Sequence, residues 1–306
     1  MAESGHHGSA AIVAALVGNL LISVTKGAAA FVTGSGSLMA ETAHSFADTL
    51  NQVFLLIGVR NSARGPSVQH PLGYGRERYF WSLVVALMLF FGGGVFSLYE
   101  GYLRLVEPHE ITSAGIGLAV LGAAFVFESG SLLFALREAA GRAREEGIPL
   151  LASLRTLSDP ALRTVLFEDS AALIGLVLAA AFLGLSVVTG DHRWDAGGSA
   201  SVGALLVVVA LILARDARSL IIGESPPPDV VDGVRATLAA APAVDQVLEV
   251  SVVRVGADRL FVGARLSLLD NLTVGEAETA LATIRRDLMS RYHDVSNAYL
   301  ELTPAE

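Results

Sequence analysis

The sequence predicts an all-α transmembrane domain of six helices followed by a C-terminal α+β, ferredoxin-like cytosolic domain. Three observations carry that expectation. Six windows are each about 20 mostly apolar residues long, the length needed to cross a bilayer. Of the 306 residues, 53% are hydrophobic and 17% charged, below the roughly 25% charged share of soluble domains. The run Ser225-Pro226-Pro227-Pro228 cannot continue a helix, and beyond it the hydrophobic period changes. The boundaries are therefore set at 1–224 for the transmembrane domain and 225–306 for the cytosolic one.

The six windows are Ser9–Val32, Ser37–Val59, Tyr79–Leu103, Thr112–Leu136, Thr164–Val188 and Gly197–Arg218. Met1–Gly8 has no basic segment of the kind that opens a signal peptide, and its His6-His7 pair reads as part of a polar tail. The connection Glu138–Arg163 is the longest and contains the breakers Gly147-Ile148-Pro149 and Ser158-Asp159-Pro160, dividing the helices four plus two. After the proline run, 229–240 reads as a helix, and Val247–Val255 and Leu260–Leu268 as strands around Gly256-Ala257-Asp258-Arg259. Val274–Tyr292 is an amphipathic helix and Ala298–Leu302 a last strand. A core of about 80 residues is small, so this domain is expected to gain stability by self-association.

Charge sets the orientation. Arg60, Arg64, Arg76 and Arg78 follow the second window, and Arg137, Arg142, Arg144, Arg155 and Arg163 follow the fourth. Only Arg104 and Arg193 lie on the other side. An excess of arginine inside puts both termini in the cytosol. A net charge of −9 with no basic patch argues against nucleic acid as a partner. Cysteine is absent, so a bound metal has only histidine, carboxylate and amide ligands to draw on.

Ionisable groups in membrane helices cost at least ~2.5–3.5 kcal/mol each at the centre, which makes their positions informative. Glu41, His44, Asp48 and Asn51 are spaced three, four and three apart, one stripe of a helix. His44 and Asp48, at i and i+4, offer an imidazole nitrogen and a carboxylate oxygen to one point, half of a tetrahedral zinc site. The plainer reading is a polar stripe that hydrogen-bonds neighbouring helices. Glu168 and Asp169 are the acids of the fifth helix, and adjacent residues point about 100° apart. As the plainer alternative they are acids favoured at a helix N-terminus. Glu128 is the one charged residue of the fourth window and lies about 24 Å from its outer end, at the depth of Glu168 and Asp169. It is a candidate extra ligand or proton carrier, as is Glu41, or else a structural hydrogen-bonding group. Lys26, on a stripe with Asn19 and Ser23, is expected to pair with a carboxylate inside the bundle or to snorkel. Gly92-Gly93-Gly94 reads as a packing site rather than a hinge.

The segment Gly34-Ser35-Gly36-Ser37-Leu38-Met39-Ala40-Glu41-Thr42-Ala43-His44-Ser45-Phe46-Ala47-Asp48 resembles the second-helix signature of the cation diffusion facilitator family. His70-Pro71-Leu72-Gly73-Tyr74-Gly75-Arg76-Glu77-Arg78, then Tyr99-Glu100-Gly101 and Glu107-Pro108, are similar to that family's loop and third helix. The resemblance spans essentially the whole chain. It implies homodimeric exchange of a divalent metal ion for protons, with the metal held between the second and fifth helices by His44, Asp48, Asp169 and Glu168. It further implies a multi-pass protein of the cell membrane, not an enzyme, with no resident cofactor.

The chain also departs from the family's common zinc pattern. Four residues before Asp169, where that pattern has His or Asp, stands Val165, and Glu168 adjoins instead. The Glu-Asp-Ser-Ala-Ala form resembles a divergent branch that includes an animal mitochondrial zinc exporter. Tyr74 stands where other members have a loop histidine, and the tail holds only His293, so no binuclear cytosolic site is expected. The function expected is export of zinc or a similar divalent ion from the cytosol in exchange for protons. The alternative is a transport-inactive member acting as a metal sensor or membrane scaffold. A membrane hydrolase is disfavoured, because no His-Glu-x-x-His stretch, serine nucleophile elbow or cysteine is present.

Overall fold

A computed structural model of the chain describes residues 4–107, 111, 113–145, 160–257 and 259–304. Six helices fill the first part: α1 Ser4–Thr33, α2 Gly36–Ser62, α3 Glu77–Val106, α4 Ala114–Glu145, α5 Pro160–Thr189 and α6 Arg193–Ile222. Four of them, α3 to α6, are long and apolar enough to cross a membrane by length and composition. Among the described residues α1 offers a shorter apolar stretch, Asn19–Thr33. In α2 the polar groups Glu41, His44, Asp48, Asn51 and Gln52 dilute the hydropathy.

Two boundaries differ from expectation for identifiable reasons. The fourth helix runs to Glu145 rather than ending at Leu136, because Arg137–Glu145 is polar yet rich in the strong helix formers Ala, Arg and Glu. Pro160 opens α5 instead of breaking the chain, since a proline at the first helical position lacks only an N–H that would have no partner there. The breakers Gly147-Ile148-Pro149 and Ser158-Asp159 lie outside the described residues, as do His109 and the side chains of His6 and His7. The helix containing that histidine pair starts at Ser4, not Ser9.

The chain divides into two compact units, 1–58 with 81–217 and 59–80 with 218–306. In the first, Leu38, Leu89, Leu121, Leu176, Leu183, Val202 and Leu206 form a continuous apolar core. Helix α3 contains a π-helical stretch, Leu89–Val95. Gly94 there meets α6 so closely that a Cβ would stand 2.7 Å from Val207 Cγ2, which favours packing over hinging as the use of the glycines.

The start of α2 is built by a residue far away in sequence. Gly34 turns the chain at a φ of 68°, and Ser35 follows it. The carboxylate of Asp195, from the first turn of α6, accepts from the Ser35 hydroxyl at 2.8 Å and from the Ser37 N–H at 3.2 Å, and also from the Gly36 N–H. Arg104 of α3 donates to the Gly34 carbonyl and is paired with Glu100 at 2.7 Å. The N–H groups that open a helix have no partner within it, so one buried acid satisfies two of them, those of Gly36 and Ser37, and ties α2 to α6.

In the second unit, α7 (Pro228–Ala239), β1 (Val244–Gly256), β2 (Arg259–Leu268), α8 (Val274–Arg291) and β3 (Val295–Leu302) follow in the expected order. The sheet order is β1-β2-β3, with β2 antiparallel to β1 and parallel to β3, so α8 is the crossover. Leu260, Val262, Ala264 and Leu266 alternate into a core with Val234, Leu238, Ile284 and Leu288. The loop after α2 belongs to this unit: Gly75 lies against Val255 and Gly256, where a Cβ would be 2.9 Å from the Gly256 Cα. Helix α8 starts with a reciprocal cap in which the Thr273 N–H donates to Glu276 Oε2 at 2.8 Å and the Glu276 N–H donates to the Thr273 hydroxyl.

Three expectations follow. The isolated segment 226–306 folds without metal, and calorimetry with and without zinc gives the same melting temperature. The Thr273 donors hold the Glu276 carboxyl below the ordinary carboxylate range. Its contribution is therefore present above that range and lost as pH falls through the lowered folded-state value, and Glu276→Gln removes this part of the acid sensitivity in a pH series of melting curves. In the first unit, Asp195→Ala orphans buried N–H groups and lowers the stability of the detergent-solubilised chain by about 1–3 kcal/mol, whereas Asp216→Ala, farther along the same helix, does not weaken the start of α2.

Candidate metal centre

The α2 stripe faces inward. Glu41, His44 and Asn51 are 0% exposed, while Phe46 on the opposite flank is 52% exposed. His44 Nδ1 lies 3.5 Å from Asp48 Oδ1, near enough to converge on one ion but too long to satisfy either atom as a hydrogen bond. Both His44 nitrogens, Asp48 Oδ1, Glu41 Oε1 and Asn51 Oδ1 are buried without a hydrogen-bond partner. Buried polar atoms are satisfied in the large majority of cases, and each exception costs about 1–3 kcal/mol. Five such atoms on one helix stripe mark a place built to receive something that they can bind.

Helix α5 divides its two acids between two neighbours. Glu168 turns to α2, accepting from Asn51 Nδ2 at 2.8 Å. Asp169 turns to α4, accepting from the Ser131 hydroxyl at 2.8 Å. Val165, one turn before Asp169, packs with Leu132, Ala135, Leu136 and Ala139 of α4. The position where a ligand would stand in the common zinc pattern thus serves an apolar helix contact.

Glu128 of α4 is 6% exposed and lies within electrostatic reach of Asp169, Glu41 and Lys26. Asp48 is within reach of Glu168, Glu128 and Asp169. The structure thus brings all six sequence-selected residues into one neighbourhood of the first unit. Among the described residues, no three His, Asp or Glu side chains close into a cage around one point. His44 and Asp48, with Nδ1 3.5 Å from Oδ1, are the pair whose donor atoms approach each other directly.

Lys26 takes the inward option of the two foreseen for it. Its ammonium donates to Glu41 Oε2 at 3.1 Å and to Ser45 Oγ at 2.7 Å. Asn51 as the tether of Glu168, and Gly175 of α5, against whose Cα Glu41 Oε1 is seated, went unrecognised in the sequence. A glycine seven residues after Glu168 on the same helix was the available signal for the latter. In the loop, Tyr74 packs on His70 with ring centroids 4.3 Å apart.

Comparison with known proteins adds independent information. The family description "Cation efflux transmembrane domain" matches residues 12–222. The Xenopus laevis protein named proton-coupled zinc antiporter SLC30A9, mitochondrial, is 36% identical over 228 residues, covering 74% of this chain and 41% of that protein. Its Homo sapiens namesake is 33% identical over 224 residues, covering 73% of this chain and 39% of that protein. Metal tolerance protein C4 of Arabidopsis thaliana is 34% identical over 219 residues, covering 72% of this chain and 48% of that protein. The chain spans less than half the length of these curated relatives.

The seating of Glu41 can be tested by size alone. A Cβ at Gly175 would overlap Glu41 Oε1, so Gly175→Ala displaces a buried, ion-paired carboxylate and lowers thermal stability by about 1–3 kcal/mol. Gly175→Ala combined with Lys26→Met and Glu41→Ala, which removes the obstructing carboxylate and both buried charges together, recovers part of that loss in a melting experiment, whereas Gly184→Ala, at a position with open space around it, has no comparable effect.

Proposed function

The chain belongs to the cation efflux family, whose members are transporters rather than enzymes, and we propose that it exports a divalent transition metal, zinc, from the cytosol in exchange for protons. The observation that carries this reading is the α2 stripe: an imidazole and a carboxylate at i and i+4, buried, 3.5 Å apart, with acceptor atoms that nothing else engages. Nitrogen and oxygen donors together suit zinc. The names of the Xenopus laevis and Homo sapiens relatives point the same way.

In this proposal His44 and Asp48 of α2 take the ion together with Glu168 and Asp169 of α5, and Glu128 and Glu41 are the further candidates for ligand or proton carrier. Metal ligands bind only when deprotonated. Metal entry from the cytosolic side therefore releases protons, and protonation on the far side expels the metal. All six helices of the first part span the membrane, α1 and α2 included, with both termini cytosolic. The segment 225–306 is a ferredoxin-like domain through which two copies associate. The membrane is the cell membrane, although the vertebrate relatives are named mitochondrial.

A second reading, a transport-inactive member acting as metal sensor or scaffold, draws on Val165, which fills a family ligand position with an apolar contact to α4. Reconstitution into vesicles holding a zinc-sensitive dye, with an imposed pH gradient, separates the two. Transport is expected in the wild type and is reduced more than about 100-fold by His44→Ala or Asp48→Ala, with both variants folded and dimeric by size-exclusion chromatography. Glu128→Gln keeps the shape but cannot exchange a proton, so it flattens the pH dependence. Wild-type rates in both α2 variants would remove the site assignment, and a folded wild type that binds zinc without moving it would favour the sensor.

A further inference from the structure

A buried lysine is an unusual neighbour for a cation site. Lys26 and Glu41 are both 0% exposed, and Lys26 also lies within electrostatic reach of His44 and Asp48. Stability alone does not account for the pair. Taking both charges out of water costs several kcal/mol per ion even after relaxation, and apolar residues of similar volume are often as stable or more so. The geometry is specific: the ammonium spans Glu41 and Ser45, one turn apart on α2, at 3.1 Å and 2.7 Å. Glu41 precedes His44 by three residues, on the same helix face. Its second oxygen, Oε1, has no hydrogen-bond partner and sits against Gly175 on the metal-facing helix α5. Left to itself, Glu41 would be a carboxylate ligand within one turn of the imidazole.

We propose that Lys26 is a selectivity residue: by holding Glu41 in an ion pair it keeps that carboxylate out of the metal's ligand shell. The ion that meets His44 and Asp48 then finds a shell in which the imidazole nitrogen counts for more and anionic oxygen for less. Manganese and magnesium favour oxygen-rich sets, whereas zinc accepts nitrogen readily. The lysine thus tilts the site toward zinc without touching it. This inference rests on the assignment of His44 and Asp48 as metal ligands.

The test is metal binding to the purified full chain in detergent at fixed pH, titrating zinc and manganese separately by calorimetry. Lys26→Gln frees Glu41 and raises manganese affinity relative to zinc by about tenfold. Lys26→Arg keeps the cation and leaves the ratio at the wild-type value. The neutral pair Lys26→Gln/Glu41→Gln removes both charges together, leaves no unpaired ion to compromise folding, and returns both affinities to within about threefold of wild type. A folded Lys26→Gln protein with an unchanged ratio overturns the proposal. So does a double variant that loses more than about tenfold in zinc affinity, since Glu41 would then be a ligand after all; this arm stands even if Lys26→Gln alone fails to fold. His44→Ala separates the two levels of the argument. Zinc binding that survives it overturns the site itself, whereas binding lost in His44→Ala with the metal ratio unmoved in Lys26→Gln overturns only the role given to the lysine.

Discussion

The constraint from which the first unit is organised is that α2 must carry four polar side chains, Glu41, His44, Asp48 and Asn51, through the interior of an apolar bundle. Each partner found around that stripe answers some part of the cost. Lys26 from α1 meets Glu41, and Glu168 from α5 meets Asn51. Ser131 from α4 meets the acid next to Glu168. What is left unanswered is concentrated on His44 and Asp48. The same low-dielectric surroundings that make an unpaired polar atom expensive strengthen any interaction it does make, so the incomplete part of the network is the part on which the proposed metal site rests.

Holding such a stripe in register requires that α2 not slide or turn. Asp195 fixes its first turn from α6, and Arg104 fixes the preceding turn from α3. Those two helices are themselves in backbone contact, since Gly94 and Gly101 of α3 meet Gly203, Ala196 and Ala200 of α6 with no room for a Cβ. The glycines and the buried aspartate thus do one job from two directions. The first bring α3 and α6 together, and the second ties the end of α2 to the helix so placed.

Much of this was legible in the sequence wherever the signal is local. The spacing of Glu41, His44, Asp48 and Asn51 announces a single face, because helical period is a property of the backbone. The alternation of Leu260, Val262, Ala264 and Leu266 announces a strand with one buried side for the same reason. What stayed hidden depends on which helices are neighbours. That Glu168 faces α2 while Asp169 faces α4 follows from the 100° between them, but only the packed bundle says which helix lies in each direction. Lys26 was recognisable as a cation that could pair inside the bundle, and its partner was not, because five acids, Glu41, Asp48, Glu128, Glu168 and Asp169, were available within the helices. Asp195, two residues before the sixth window, was not singled out; its use by α2, 158 to 160 residues away in the chain, leaves no mark in local pattern. The length of α4 was misjudged where hydropathy falls but helix propensity does not.

Helix α2 has one further property. It runs unbroken from Gly36 to Ser62, yet its last residues and the loop seated on Gly256 belong to the compact unit that contains the C-terminal sheet. Its hydrogen-bonded turns are continuous from the start that Asp195 caps, past His44 and Asp48, to Ser62. An α-helix is stiff in torsion, its hydrogen bonds resisting unwinding turn by turn. A rotation of the first turn about the helix axis, which the Asp195 carboxylate opposes, would therefore arrive at the imidazole and carboxylate as a change in the direction they point.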